Sequence, residues 1–312
     1  MKHNSFKGFL NPEMERTLAA EDQVDLERLC KRPGDRILMA AEEGGIERID
    51  ARFSGKGYAP HRHDTYALGL TVRGVQTFHY RGAARASLPG QIIVLHPDEL
   101  HDGGAGTDEG LSYRMLYLPP EDVAEATLSA GQASELPFVS TPVISDPEFQ
   151  LALREGLSDL DEPIGSLRRD SLIAALTQCL QRHGGRARLR KSVLHWPGLQ
   201  RCAEHLRENA VGSVQSEELE TVAELDRFTL ARQFKRAFGT SPHRYQVMRR
   251  LERARAGIRS GVPLASAAVD AGFADQAHMS RHFKRTYGMT PGHWQRLLHS
   301  TDWHTKSDRG CS

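Results

Sequence analysis

Fifteen histidines occur in 312 residues, and five of them lie between positions 61 and 101. His61-Arg62-His63 sets two imidazoles on one face of an extended strand, because side chains alternate there. With His101 they could supply three nitrogen donors, the beginning of a metal site. The same three rings could instead line the mouth of a pocket and bond an organic molecule. Tyr66 and His79 complete the candidate pocket, since aromatic walls with a few polar groups suit a small organic ligand. The four cysteines, Cys30, Cys179, Cys202 and Cys311, have no C-x-x-C spacing and suggest neither a disulfide framework nor a zinc finger.

A second chemistry lies farther along. Leu230-Ala-Arg-Gln-Phe-Lys-Arg-Ala-Phe-Gly-Thr-Ser-Pro242 is echoed by Met279-Ser-Arg-His-Phe-Lys-Arg-Thr-Tyr-Gly-Met-Thr-Pro291, 49 residues later. A repeat of that length indicates one supersecondary unit built twice. At helical spacing, Leu230, Phe234, Ala237 and Phe238 share one face, and Phe228, Arg232, Lys235 and Arg236 the other. In the second copy Met279, Phe283 and Tyr287 oppose Arg281, Lys284 and Arg285. Each helix thus offers an apolar stripe to a core and a cationic stripe to an outside partner.

Those helices need positioning. Asp226 and Asp275 stand at expected N-caps, and Gly239 and Gly288 at expected C-terminal stops. In copy two, Leu264, Ala267 and Ala268 precede Gly272-Phe273, which gives the order helix, turn, basic helix. Between the copies, Pro242 to Arg259 reads as one long helix. Tyr245, Met248, Leu251, Ala254 and Ile258 point inward, and Arg249, Arg250, Arg253 and Arg255 mostly outward. Successive major-groove windows lie about 34 Å apart, so a rigid spacer has a mechanical purpose.

The histidines need a different scaffold. Residues 36–118 read as short strands separated by Gly and Pro turns, which indicates a β-sandwich or barrel. Ile49, Ala51 and Phe53 form one alternating face, and Tyr66, Leu68, Leu70 and Val72 another. Leu88-Pro-Gly-Gln91 is a type II turn. Two Leu-rich helices follow, one holding Phe149 to Leu160 and one holding Leu167 to Leu180. They serve equally well to seal the barrel or to pair with a second copy. Residues 184–195 form a basic linker, residues 1–35 an N-terminal extension with a weak helix over Glu13–Leu29, and residues 299–312 a disordered tail.

Charge divides the chain. Residues 185–312 hold 22 Lys and Arg against 12 Asp and Glu, whereas residues 1–184 hold 19 against 28. A basic half points to nucleic acid, and the acidic half is left for another task. No run approaches the roughly 20 apolar residues of a membrane span. The N-terminus lacks a signal peptide's apolar core, so a cytoplasmic location is the expectation.

With these residues in place, the stretch from 196 to 298 resembles the paired helix-turn-helix domain of AraC/XylS-family transcription regulators. The signature is Gly272-Phe273-Ala-Asp275-Gln-Ala-His278-Met-Ser-Arg281-His-Phe283 and its continuation to Pro291. Glu220 and Glu224 depart from it, standing where the family usually has Ala and Gly. Gly55 with His61-x-His63, then Gly90, Pro97 and His101, resemble the two cupin motifs over residues 46–118. The first motif's usual Glu is absent, and the second is one residue short.

The resemblance implies an α+β multidomain chain. A cupin-like β-barrel or jelly roll spans 36–120, with a helical hairpin and dimerisation region at 121–183. An all-α domain with two helix-turn-helix motifs joined by a long helix spans 196–298. It also implies a sequence-specific regulator, by family habit an activator, and not an enzyme. A small effector of unspecified identity would bind the barrel, with no cofactor. Carried over position by position, base contacts fall on Arg227, Phe228 and Arg232 and on Gln276, His278 and Arg281. Lys235, Arg236, Lys284 and Arg285 are expected to meet phosphates. Expected partners are double-stranded DNA, the effector, RNA polymerase and a second copy of the chain. The alternative is a metal-dependent cupin enzyme using His61, His63 and His101.

Overall fold

The computed structural model describes residues 36–40, 44–54, 57–131, 135–184 and 194–296. The N-terminal extension with its helix, most of the basic linker and the C-terminal tail lie outside the described residues.

Among the described residues, ten strands form two sheets. They are β1 (Arg36–Met39), β2 (Glu47–Phe53), β3 (Tyr58–His61), β4 (Tyr66–Arg73), β5 (Gln76–Tyr80), β6 (Ala83–Ser87), β7 (Ile92–Leu95), β8 (His101–Ala105), β9 (Leu111–Leu118) and β10 (Val143–Ile144). One sheet runs β1-β2-β9-β4-β7-β10 and the other β3-β8-β5-β6. The named pairings are antiparallel, for example Tyr66 opposite Leu118 and His61 opposite His101. The Leu88–Gln91 turn forms as expected, with Gln91 N–H donating to the Leu88 carbonyl at 2.9 Å and Gly90 at φ +86°.

The period-two alternation decides what faces what. Tyr66, Leu68 and Leu70 of β4 point outward under a helical layer, while Ala67 points into the barrel. That layer is α1 (Pro120–Ser129), α2 (Pro147–Gly156) and α3 (Ser166–His183). Phe149, Leu153, Leu172, Leu176 and Leu180 pack onto the outward face of the larger sheet. Asp146 caps α2 by accepting from Glu148 N–H and Phe149 N–H at 2.9 and 3.1 Å. The helix stops at Gly156, where an added Cβ would stand 2.8 Å from Leu172 Cδ2, so Leu160 lies beyond it. The hairpin therefore seals its own barrel, yet Leu151 and Leu167 remain 67% and 81% exposed.

The C-terminal domain comprises α4 (Trp196–Glu208), α5 (Ser216–Ala223), α6 (Arg227–Phe238), α7 (Pro242–Arg259), α8 (Leu264–Asp270) and α9 (Gln276–Tyr287). Asp226 caps α6 by accepting from Phe228 N–H and Thr229 N–H, and Asp275 caps α9 by accepting from His278 N–H. Gly239 and Gly288 end these helices at φ +74° and +68°. The departures in the first copy are accommodated. Glu224 adopts the left-handed conformation at φ +57° despite its Cβ. Glu220 accepts from Arg227 N–H at 2.6 Å, tying the start of α6 to α5. Phe234 and Phe283, equivalent in the two copies, are both fully buried; truncating either to Ala should cost about 3–5 kcal/mol.

The two halves do not share their cores evenly. The first helical unit has its own cluster around Leu199, Phe234 and Tyr245. The second unit, with Met248, Leu251, Phe283 and Trp294, merges with the barrel interior of Phe78, Ile93 and Tyr113.

Candidate functional site

His61 ends β3, His101 begins β8, and the pairing of those strands sets them opposite each other. Their ring centroids are 4.3 Å apart, and His63 lies 4.7 Å from His101. All three rings are buried and line a cavity of about 390 Å³. Each Nδ1 is held by a nearby carbonyl oxygen: His61 by Ala59 at 2.8 Å, His63 by Thr65 at 2.9 Å and His101 by Glu99 at 2.9 Å. A carbonyl only accepts, so each Nδ1 carries the hydrogen and each Nε2 is a bare acceptor. The Nε2 of His63 is sealed from solvent without a partner.

Burial disfavours charging these rings. It lowers His61 to about 4, and burial with the neighbouring His61 lowers His63 to about 3. His101 falls well below its ordinary value for the same reason, aided by His61 and His63. All three are neutral near pH 7. Among the described residues, no group of three His, Cys, Asp or Glu side chains is placed to hold a metal ion. The metal-dependent enzyme alternative therefore gains no support.

Two expected pocket residues lie elsewhere. Tyr66 faces the helical layer, and its hydroxyl donates to the Pro137 carbonyl at 2.8 Å. His79 is a surface residue paired with Asp102 at 3.0 Å, its side chain 73% exposed. Alternation explains both: β5 turns Phe78 inward and therefore His79 outward.

Beyond the barrel, the cavity is walled by the C-terminal domain. Met248, Arg249 and Arg255 of α7 line it, with Tyr287, Met289 and Trp294. Arg255 is a correction to the outward reading of α7: it is 4% exposed and reaches Glu47 of β2 through both terminal nitrogens. Positions 248, 251, 255 and 258 fall on one helical stripe, so the backbone turns Arg255 inward, and Glu47 supplies the partner that lets a guanidinium stay there. Arg249 is likewise drawn inward, to Asp64 at 2.6 Å and Glu252 at 2.9 Å. Arg244 joins Asp98 at 2.7 Å. At the end of α9, Arg62 N–H donates to the Arg285 carbonyl at 3.1 Å, and a Cβ on Gly288 would stand 3.0 Å from His61 Nδ1.

The cationic stripes are open to solvent over most of their length. Arg227, Arg232, Lys235, Gln276, Arg281, Lys284 and Arg285 are exposed. Phe228 is 70% exposed, with the Arg227 guanidinium 5.0 Å from its ring centre. Two expected contacts are already engaged in this conformation. Arg236 is paired with Glu135. His278 is half-buried on Phe273, its Nε2 3.1 Å from that of His282.

A barrel with an internal cavity, docked on paired helix-turn-helix units, defines a ligand-responsive DNA-binding protein. Comparison with known proteins agrees. Residues 43–177 match the family model for an AraC-like ligand-binding domain, and residues 219–297 match one for a helix-turn-helix domain. The chain thus carries the ligand-binding and helix-turn-helix domains found in AraC-type transcription regulators. It is 26% identical over 231 residues to the uncharacterized HTH-type transcriptional regulator YbfI of Bacillus subtilis, covering 73% of this chain and 84% of that one. Over 80 residues it is 36% identical to a putative AraC-like transcription regulator of Streptomyces antibioticus, covering 25% of this chain and 26% of that one. ToxT from Vibrio cholerae shares the fold, with a TM-score of 0.59 at 10% identity over 81% of this chain and 98% of that one. A ToxT structure with an unsaturated fatty acid bound matches with a TM-score of 0.58 at 12% identity, covering 86% and 97% of the two chains.

Proposed function

We propose that the effector of this regulator occupies the cavity between the barrel and α7, and that its binding sets how firmly the two domains dock. One observation carries the reading: the cavity has walls from both domains, so an occupant touches both. A ligand shifts such an equilibrium only by its different affinity for the docked and undocked forms. Contacts to Tyr287 and Met289, which lie at and just beyond the end of α9, supply that difference. The fatty acid in ToxT supports a small organic effector without fixing its chemistry.

On the DNA side, Arg232 and Arg281 read guanine edges through bidentate bonds, and Gln276 reads adenine. Arg227 and Phe228 contribute at the start of α6, and His278 once it leaves Phe273. Lys235, Lys284 and Arg285 meet phosphates, joined by Arg236 when Glu135 lets it go. The exposed Leu151 and Leu167 make the outer face of α2–α3 the place for a second copy of the chain, and RNA polymerase is the further partner of an activator.

The test is fluorescence anisotropy of the full chain on duplexes from upstream of its own gene, against scrambled duplex over a salt series. Preferential binding whose logarithm falls linearly with log salt supports the reading. Equal affinity for all duplexes removes it. Sedimentation of the chain and of Leu167→Glu tests self-association separately.

A further inference from the structure

The cavity's polar atoms specify more than a small molecule. Three neutral imidazoles offer bare Nε2 lone pairs inside the barrel, and Nδ1 accounts for every side-chain hydrogen bond these rings make among the described residues. The Nε2 of His63 is sealed from solvent without a donor, which is costly, so the arrangement calls for a hydrogen bond from an occupant. The charges point the same way. Among the described residues the lining holds six carboxylates, Glu47, Asp64, Asp102, Glu121, Asp122 and Glu252, against three guanidiniums, Arg207, Arg249 and Arg255. All three guanidiniums belong to the C-terminal domain, and each is already engaged by a carboxylate: Arg207 by Glu204 and Glu121, Arg249 by Asp64, and Arg255 by Glu47. At the imidazoles a carboxylate ligand would find bare acceptors where it needs donors, in a lining with more carboxylates than guanidiniums. An uncharged or cationic donor finds both lone pairs and a favourable field.

Resting on the reading of this cavity as the effector site, we propose that the effector is recognised through a hydrogen-bond-donating head: a hydroxyl that gives its one hydrogen to the unpartnered Nε2 of His63, or an ammonium with further hydrogens for His61 and His101 beside it. Its apolar body fills the barrel interior against Phe78, Ile93, Leu95 and Met115, which line the same cavity. Anionic amphiphiles, fatty acids among them, are selected against. The acceptor triad comes from the barrel, whereas the guanidiniums come from the docked domain. The head group is therefore chosen by one domain, and the closing wall is supplied by the other.

The experiment is a fragment screen on the full chain with three size-matched sets: alcohols and phenols, primary amines, and carboxylates. The first readout is the melting temperature. Alcohols or amines should raise it, by about 2 °C at a few times Kd, and carboxylates should not. Hits spread evenly, led by carboxylates or absent altogether overturn the proposal. His63→Phe should abolish the shift given by the alcohol or amine hits. ¹⁵N-histidine spectra of the wild-type chain give a check that does not depend on how a variant folds. Nε2 resonances should move on adding a donor fragment, and unmoved resonances with a raised melting temperature refute the triad. Stoichiometric transition metal in the purified chain, lost in His63→Phe, also overturns it by making the lone pairs metal ligands. The second readout is DNA anisotropy with the same fragments. Donor fragments that stabilise the chain yet leave DNA binding unchanged uphold the head-group assignment and refute the coupling instead.

Discussion

Arg255 of α7 and Glu47 of β2 form a buried ion pair between the DNA-binding domain and the barrel, the second of its two bonds spanning 2.9 Å. Arg255 also lies against the rings of Tyr287 and Trp294, at 4.7 and 5.2 Å. Removing one partner of a buried pair strands the other charge. Arg255→Ala should therefore cost about 3–5 kcal/mol of stability, and Arg255→Met less, since it keeps the stem's packing. Denaturant unfolding of both variants checks the order.

The same pair carries a pH signature. Burial pushes the Glu47 carboxyl up, but Arg255, through its charge and hydrogen bonds, and then Arg259 and Arg249 outweigh it, and the net shift is down from 4.5. A carboxyl lowered on folding stabilises above its unfolded value, and that contribution is lost as pH falls through the folded value. Glu47→Gln should remove the part of acid destabilisation that sets in below about pH 4.5. Thermal melts from pH 3 to 6 on both chains decide it.

The histidines act at higher pH. His61 and His63 are lowered from 6.5 to about 4 and about 3, so the unfolded chain binds protons that the folded chain refuses. Stability then falls as pH drops below 6.5, by about 1.4 kcal/mol per pH unit for each histidine, until the folded value is reached. His61→Phe should flatten the slope between pH 6 and 4.5. An unchanged slope would show that the ring is protonated or solvated when folded.

On the DNA side, Arg232→Ala should cost about 1–3 kcal/mol on the preferred duplex and relax the choice at one base position. Lys235→Ala should weaken specific and scrambled duplexes alike and reduce the salt slope by about 1. Identical profiles for the two variants would refute the division between base and phosphate contacts.

Asp226→Ala probes positioning, because Asp226 accepts two backbone N–H groups at the start of α6. A lost N-cap costs about 0.5–2 kcal/mol. The loss should appear in unfolding and, through fraying next to Arg227 and Phe228, in DNA affinity; an N-cap Asn should restore both.

How much the sequence could disclose depended on range. α6 and α9 are legible because their signals are local, an Asp cap, a 3.6-residue stripe and a glycine stop, and α7 because Pro242 opens a long stripe of the same period. The approach of His61, His63 and His101 was legible because the i, i+2 spacing joined a recognisable motif. Tyr66 and His79 were assigned to the wrong side of their strands, because alternation gives two faces without saying which one meets the interior. For Tyr66 both faces are buried, since helices cover the outside of the larger sheet. Arg255 was misread for a different reason. A guanidinium among apolar positions looks like a surface residue until a carboxylate 208 positions earlier in the chain is known to wait for it.

The barrel interior and the second helix-turn-helix unit share one apolar cluster, from Phe78 and Tyr113 to Phe283 and Trp294. Modularity is thereby limited. A chimera that grafts this DNA-binding half onto an unrelated sensor inherits an uncovered hydrophobic wall, and the barrel left behind inherits an open mouth. The two recognition helices are also unequal partners: the first belongs to a unit with its own core, while the second is folded in part by the sensor. Any trade of components between regulators of this architecture must carry the wall and the mouth together.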